Sequence, residues 1–339
     1  MGPAGKRTTI RQIAEETGLS VTAVSYALRG ERMSAATIVR VQQAARDLGY
    51  TADPVARALR GGRSGMVGVI VGSLADFWHQ TLAHALQREL RLHGLHAIIA
   101  DADGDPALEL ELARRLADQR VDGLLVAPIG PASGGWVELV ARLPTVTIAG
   151  RLIGAAVAGE VAFDQTSGVA EVLRHLHALG HRDIAVLSWA VEVSPGRPAE
   201  LAVVEQAARL GLRCEIVPCA YSLDGSRPLA LDLLSQAQRP TAVFCMSDSI
   251  AYGVLHSCRE LGLRVPEDLT LVGFDDHPLS RLVEPALTTV NWSIDRAART
   301  AVTFLKDHLT DGAAQRRIVI APSLVVRRST AAPSYLAGP

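Results

Sequence analysis

From Met66 onward the chain alternates short apolar runs with amphipathic stretches, and it does so twice. The first series reads MVGVIVG, HAIIA, VDGLLVAP and PTVTIAG; the second reads DIAVL, RCEIVP, TAVFCM and DLTLVGF. Runs this short, apolar on both sides and separated by helical periodicity, predict parallel strands buried between layers of helices. Helices are expected from about Gln80 to His93 and from about Leu108 to Gln119. The repeated scheme makes an α/β body of two lobes, each with its own parallel sheet. After the second series, a helix near Ile294–Leu309 and a strand near Ile318–Ile320 are expected to return to the first lobe. Lobe 1 then covers about residues 65–161 plus 292–319, and lobe 2 about 162–291 plus 320–330, leaving 331–339 as a tail. Several chain crossings between the lobes make a hinge. Ligands of such sheets sit beyond the C-terminal ends of the strands.

The N-terminal residues obey a different period. Thr9 and Gln12 have the spacing of a capping box, Ile10, Ile13 and Ala14 follow at helical intervals, and Gly18 can close that helix in a left-handed turn. Ser20 is a good N-cap for a second helix from Val21 to Leu28, and Ser34 for a third that carries Ile38, Val41, Ala45 and Leu48 on one face, with Gly49 closing it. Two short helices joined by a Gly-containing turn make a helix-turn-helix. The predicted head, residues 6–52, is therefore all-α. Its second helix must pack Val24, Ala27 and Leu28, which turns Val21, Thr22, Ser25, Tyr26 and Arg29 outward. An ordinary solvated face would carry more charge. Between head and body, residues 53–64 begin with Asp53 as a cap and Pro54 in the first turn, run through Val55–Arg60, and stop at Gly61-Gly62. A helix of this length is marginal alone in water, so it is expected to need a second copy or a DNA surface.

Charge follows the same division. The chain of 339 residues has a net charge of −1, yet residues 1–64 hold ten Lys/Arg against five Asp/Glu, and the remainder is acidic. A basic head on an acidic body suits a polyanion at the head alone. No apolar run is long enough to span a membrane, and the start MGPAGKRTTIRQ lacks the apolar stretch of a signal peptide, so a cytoplasmic protein is expected. The four cysteines, Cys214, Cys219, Cys245 and Cys258, form no CxxC pair and read as structural thiols, with no metal site. No dinucleotide fingerprint, phosphate loop or nucleophile elbow is present, so neither catalysis nor a cofactor is expected. A solute-binding protein for transport would use the same body but has no need of the head.

These segments together resemble the lactose/galactose-repressor (LacI/GalR) family. The likeness runs through TIRQIAEETGLSVTAVSYALRG, MSAATIVRVQQAARDLGY and DPVARALRGGRSGMVGVIV. It continues in DADGDPALELELARRLADQRVDGLLVAP, HLHALGHRDIAVL, TAVFCMSDSIAYG, LGLRVPEDLTLVGFDD, PALTTV and LVVRRST, in the same order over almost the whole chain. The resemblance implies a homodimeric repressor with a periplasmic-binding-protein-like body, bound to a pseudo-palindromic operator and controlled by a small effector, by default a sugar or sugar derivative. It implies base-edge contacts from Val21, Thr22 and Tyr26, and backbone contacts from Arg11, Ser25, Ser34 and Thr37, with Arg29 suited to a phosphate. Leu59, with Ala56 beside it, matches a hinge wedge that enters the minor groove. Tyr26 stands where Arg is common, Arg29 where Asn is common, and Asp53 where Asn is usual. Nothing after LVVRRST suggests a tetramerising tail.

For the effector, the resemblance points to Asp275 as an acceptor for ligand hydroxyls and to Arg197 as an anchor, although Glu200 stands where Gly is usual. Ser247 occupies a polar ligand position, while Asp248 reads equally as a helix cap or a ligand contact. Asp276 is the better candidate for capping a turn. Phe77, Trp78 and Trp189 fall at expected cleft loops and Trp292 in a lobe crossover; each reads equally as a face for stacking on sugar C–H groups or as core, and Arg151 is a weaker candidate.

Overall fold

The computed structural model describes residues 8–50, 63–130, 134–189, 198–219, 223–312 and 314–334; the side chains of Arg29, Trp189, Pro198, Leu223 and Asp224 lie outside that description. The chain divides into two units, Met1–Ser64 and Gly65–Pro339.

The first unit contains α1 (Ile10–Thr17), α2 (Val21–Arg29) and α3 (Ala35–Asp47). Each start has its own acceptor. The Gln12 side chain takes the Thr9 N–H at 2.8 Å, Ser20 Oγ takes the Ala23 N–H at 3.1 Å, and Ser34 Oγ takes the Thr37 N–H at 3.2 Å. Gly18 and Gly30 end the first two helices at φ 65° and 74°, a conformation that a side chain would strain. Ile13, Val24, Ala27 and Val41 are fully buried at the centre of the three helices. The expected stripe of Val24 and Ala27 is therefore the packed one, while Leu28 is only half-buried.

In the second unit the first series comprises β1 (Met66–Val71), α4 (Phe77–Leu92), β2 (His96–Asp101), α5 (Pro106–Asp118), β3 (Gly123–Val126), α6 (Gly134–Val140), β4 (Thr145–Ile148) and β5 (Gly159–Phe163). The second comprises α7 (Gln165–Ala178), β6 (Asp183–Trp189), α8 (Pro198–Leu210), β7 (Arg213–Cys219), α9 (Leu223–Ser235), β8 (Ala242–Cys245), α10 (Asp248–Glu260) and β9 (Thr270–Val272). A 3-10 turn (Pro278–Arg281), β10 (Thr289–Asn291), α11 (Ile294–Asp311), β11 (Arg316–Ile320) and β12 (Ser323–Val325) follow.

Two parallel sheets result, in the orders β11-β5-β4-β3-β1-β2 and β7-β6-β8-β9, joined by the antiparallel pair β10-β12. The interior strands β3, β4 and β8 are buried at every residue, which is why their sequences lack alternation. β11 pairs with β5 through Ile320↔Phe163, so the first sheet extends to Phe163 and Ile320. That is slightly past the boundaries read from sequence, because the two crossing strands pair along their full length. α11 returns to the first lobe. It buries Ala297, Ala298, Ala301, Val302 and Leu305 on one face and packs on β3, β4 and β5. The approach is close: a Cβ at Gly123 would sit 2.6 Å from Leu305 Cδ1, and one at Gly159 would sit 2.5 Å from Phe304 Cδ2.

α4 starts at Phe77 rather than near Gln80, because Asp76 Oδ1 accepts the His79 N–H at 3.0 Å and caps the helix three residues early. The four cysteines are free thiols. Burial pushes Cys214 and Cys219 up to about 11 and Cys258 up to about 12, which suits packing rather than reactivity. Among the described residues no helix is long and apolar enough to cross a membrane.

Glu109, on α5, is 1% exposed and accepts the Ile129 N–H at 3.0 Å. Burial outweighs that hydrogen bond and pushes its carboxyl up to about 7. Because folding raises this pKa, the folded state gains from protonation. Its contribution is complete below the ordinary carboxylate range and is lost as pH rises through about 7. Glu109→Gln keeps the acceptor and removes the charge. In urea unfolding the variant should exceed the parent chain by up to about 3 kcal/mol at about pH 8, with the gap closing below about pH 5.

Candidate functional site

On the head, the face of α2 opposite its buried stripe is where chemistry is available. Val21 is 39% exposed, Thr22 is exposed, and Ser25 and Tyr26 are half-buried. Arg11 is exposed at the start of α1. At the start of α3, Ser34 Oγ and Thr37 Oγ1 lie 2.8 Å apart, which puts two hydroxyls at a helix N-terminus, where anions are favoured. Beyond the Gly30 cap, Arg32 reaches back: its Nη1 donates to the Tyr26 hydroxyl at 3.3 Å, and its Cζ lies 5.2 Å from the centre of the Tyr26 ring. The result is a nearly uncharged helix face edged by a guanidinium.

In the body, the segments following β1, β8 and β9 bring acids together. Asp76 is 1% exposed. Its Oδ1 holds the His79 N–H and lies 2.9 Å from His79 Nδ1, while its buried Oδ2 has no hydrogen-bond partner among the described residues. Asp275 follows β9 and is also buried; its Oδ2 accepts the Asp248 N–H at 3.3 Å, and its carboxyl also takes a bond from the Ser247 side chain. Burial, then the charge of Asp248, then that of Asp76, hold the Asp275 carboxyl well above the usual carboxylate range. Asp76 comes from the first lobe and Asp275 from the second, so the cleft floor sets two carboxyls against each other.

Asp248 neither caps α10 nor opens to the cleft. Ser247 is the cap, accepting the Ser249 N–H at 3.1 Å. The Asp248 carboxylate is fully buried and accepts from Thr289 Oγ1 at 2.5 Å, Ser280 Oγ at 2.6 Å and the His277 N–H at 2.8 Å. Desolvation still raises its pKa, against those three hydrogen bonds. Asp276 is engaged by the protein as well, by Asn291 Nδ2 at 2.6 Å and by Arg327.

An aromatic series lies beside this floor. Trp78 meets Phe163 edge-on at 6.2 Å, Phe163 meets Trp292 at 5.0 Å, Trp292 meets Phe274 at 4.8 Å, and Phe274 meets Phe244 at 5.6 Å. Phe77 of the first lobe stacks on His277 of the second, with ring centres 4.8 Å apart and planes at 19°.

Comparison with known proteins agrees with both units. Residues 173–330 match the periplasmic binding protein-like domain family. The HTH-type transcriptional regulator PtxS of Pseudomonas plecoglossicida is 29% identical over 335 residues, covering 97% of this chain and 98% of PtxS. The HTH-type transcriptional repressor PurR of Pectobacterium atrosepticum is 28% identical over 330 residues, 95% of this chain and 97% of PurR. The Lac repressor dimer bound to operator and the anti-inducer ONPF superposes with a TM-score of 0.86 at 24% identity, covering 96% of this chain and all of that one. Over almost its whole length the chain is thus similar to HTH-type transcriptional regulators and repressors, and its fold is that of the Lac repressor. The curated relatives are regulators of transcription, not enzymes.

Several of the ligand positions expected from LacI/GalR resemblance are altered by the structure. Ser247 is fully buried and occupied as a cap and as a partner of Asp275, so it presents no surface to the cleft. Trp292 is 5% exposed, packed between Phe163 and Phe274, and Trp78 is 9% exposed; both are largely core. The half-buried Phe77 lies between lobes rather than along a loop wall. Arg151 pairs with Glu160, which also holds Arg317 at 3.0 Å. Glu200 accepts from Ser188 Oγ at 2.6 Å. Arg197, Ala56 and Leu59, the rest of residues 53–62 in the expected hinge, and the side chains of Trp189 and Arg29 lie outside the described residues. Sequence reasoning missed Asp76, His79, His277 and Arg32. Asp76 had a legible signal, an acid just after a strand and just before a helix.

The Asp248 network makes a direct prediction. Asp248→Ala leaves Thr289, Ser280 and the His277 N–H without their acceptor inside the protein, at about 1–3 kcal/mol for each unsatisfied group. Urea unfolding should show a loss of at least about 3 kcal/mol. A loss below about 1 kcal/mol would mean that water replaces the carboxylate.

Proposed function

We propose that this chain is a repressor: a homodimer that grips a pseudo-palindromic operator and whose affinity for it is set by a small polar effector held between the two lobes of the body. The observation that carries this reading is the union, in one chain that resembles the LacI/GalR family, of a helix-turn-helix with a low-charge outer face and a two-sheet body with acids at its strand ends. Val21, Thr22 and Tyr26 address base edges. Arg11, Ser25, Arg29, Ser34 and Thr37 serve the phosphate backbone, and Leu59 with Ala56 wedges the minor groove. The head spans 6–52, the hinge 53–64, and the effector and dimerisation body 65–330. The protein works in the cytoplasm, needs no cofactor and catalyses no reaction. A transport role for the body leaves the head without purpose.

The effector reading rests on Asp275, with Asp76 opposite and Phe77 at the edge. A buried Asp76 Oδ2 with no donor among the described residues suits a ligand rich in hydroxyls, such as a sugar or sugar derivative. Arg197 and Trp189 complete the proposed contacts. Effector binding and operator binding are linked by one coupling free energy, about 1–3 kcal/mol in systems of this kind, and each changes the other by the same factor.

Operator DNA selected from random duplexes should shift in a gel at moderate salt and compete at least about a thousandfold better than unrelated DNA. Absence of any specific complex overturns the reading. A thermal-shift screen of sugars, nucleosides and phosphosugars should give a compound that raises the melting temperature. Asp275→Asn should abolish most of that shift, and an equal shift in the variant would remove Asp275 from the site.

A further inference from the structure

The outward face of α2 offers single hydroxyls at Thr22, Ser25 and Tyr26 and a methyl pair at Val21. Among its described side chains, none presents the two parallel N–H donors that match guanine N7 and O6 in the major groove. Arg32 does. It lies outside the helix, between the Gly30 cap and the Ser34 cap, with a left-handed backbone at φ 52°. A non-glycine residue bears a cost there, and such positions persist where the surroundings fix them. The backbone turn sends the side chain back along α2 onto Tyr26, where the hydroxyl accepts one N–H at 3.3 Å and the ring lies under the guanidinium at 5.2 Å.

We infer that Arg32, seated on Tyr26, is the guanine reader of this head, and that the tyrosine addresses that base edge through the arginine it supports. The inference rests on the DNA-binding reading above. A guanidinium has five N–H donors, and the Tyr26 hydroxyl takes one. The ring contact leaves the fork's remaining edge open and restrains its rotation before DNA arrives, so less side-chain freedom is lost on docking. Arg32 is itself exposed, which leaves it accessible to a duplex.

The experiment is selection from random duplex DNA by the full chain at one fixed salt concentration, for the parent and for Arg32→Ala, Arg32→Lys and Tyr26→Phe. The parent should select a half-site with guanine fixed at one position or more. Arg32→Ala should lose that preference at a single position and bind the selected operator roughly ten- to a hundredfold more weakly. Arg32→Lys keeps the charge but not the fork, so it should hold unrelated DNA as the parent does and still lose the guanine. Tyr26→Phe should relax the same position partially, and adding it to Arg32→Ala should cost nothing more. A uniform weakening on all duplexes by Arg32→Ala, with Arg32→Lys equal to the parent, would make Arg32 a phosphate contact and overturn the inference. Independent, additive losses would overturn the seating on Tyr26. A parent that selects no sequence would instead sink the DNA-binding reading, and this inference with it. Both residues lie on the surface side of the head, and unchanged helix content in each variant confirms that recognition, not folding, is being read.

Discussion

A carboxylate shut away from water organises the second lobe. Asp248 opens α10, yet its oxygens reach the 3-10 turn through Ser280, the backbone of His277, and β10 through Thr289. A buried charge is tolerable only when donors surround it. Here the donors come from three separate segments, so meeting that need also fixes their relative positions. Gly273 belongs to the same arrangement, because a Cβ there would collide with the Asp248 carboxylate. Ser280 passes the constraint on to Tyr252, whose hydroxyl lies 2.8 Å away, and burial raises that phenol well above its ordinary range. Asp275 then has little freedom: the Asp248 N–H and the Ser247 side chain hold its carboxyl. Its placement at the cleft is a consequence of the acid behind it.

The fold was legible because parallel strands buried on both faces are apolar throughout, and MVGVIVG or TAVFCM has no other good reading. Helix starts were less so. α4 begins before any periodicity is visible, since Asp76 caps it and the first two residues are aromatic. The site was legible as a set of loops but not as a set of exposures. Ser247, Trp78 and Trp292 lie at the expected chain positions, and burial removes most of their surface from the cleft. Three acids in SDS and FDD look alike in sequence; their hydrogen-bond donors separate them. Asp248 takes three, Asp276 is held by Asn291 and Arg327, and Asp275 is left to face the first lobe. Arg32 was invisible for another reason. It leaves the helical period at Gly30, so no helical wheel places it against Tyr26.

The chain crossings between lobes carry an uninterrupted aromatic series rather than a gap. Phe163 ends the last first-lobe strand of the first series, and Trp292 follows β10 on the way back. Their tilted and edge-on contacts extend to Trp78 on one side and to Phe274 and Phe244 on the other. Pairs of this kind contribute about 0.5–1.5 kcal/mol each beyond area burial. Placing them at the crossings gives the two lobes a common core without a common sheet.

At the cleft, attraction and repulsion between lobes are both on view. Phe77 stacked on His277 draws α4 toward the turn after β9, and burial keeps the His277 ring below its usual pKa, so the stack involves a largely neutral imidazole near neutral pH. Against it, two acids face each other from opposite lobes: burial, then the charge of Asp248, then that of Asp76, make Asp275 hold its proton more tightly. A single ring contact of this kind is worth about 1 kcal/mol. A molecule that donates hydrogen bonds to both acids removes the repulsion and keeps the stack. That differential between open and closed is what lets an effector shift a two-state equilibrium at all.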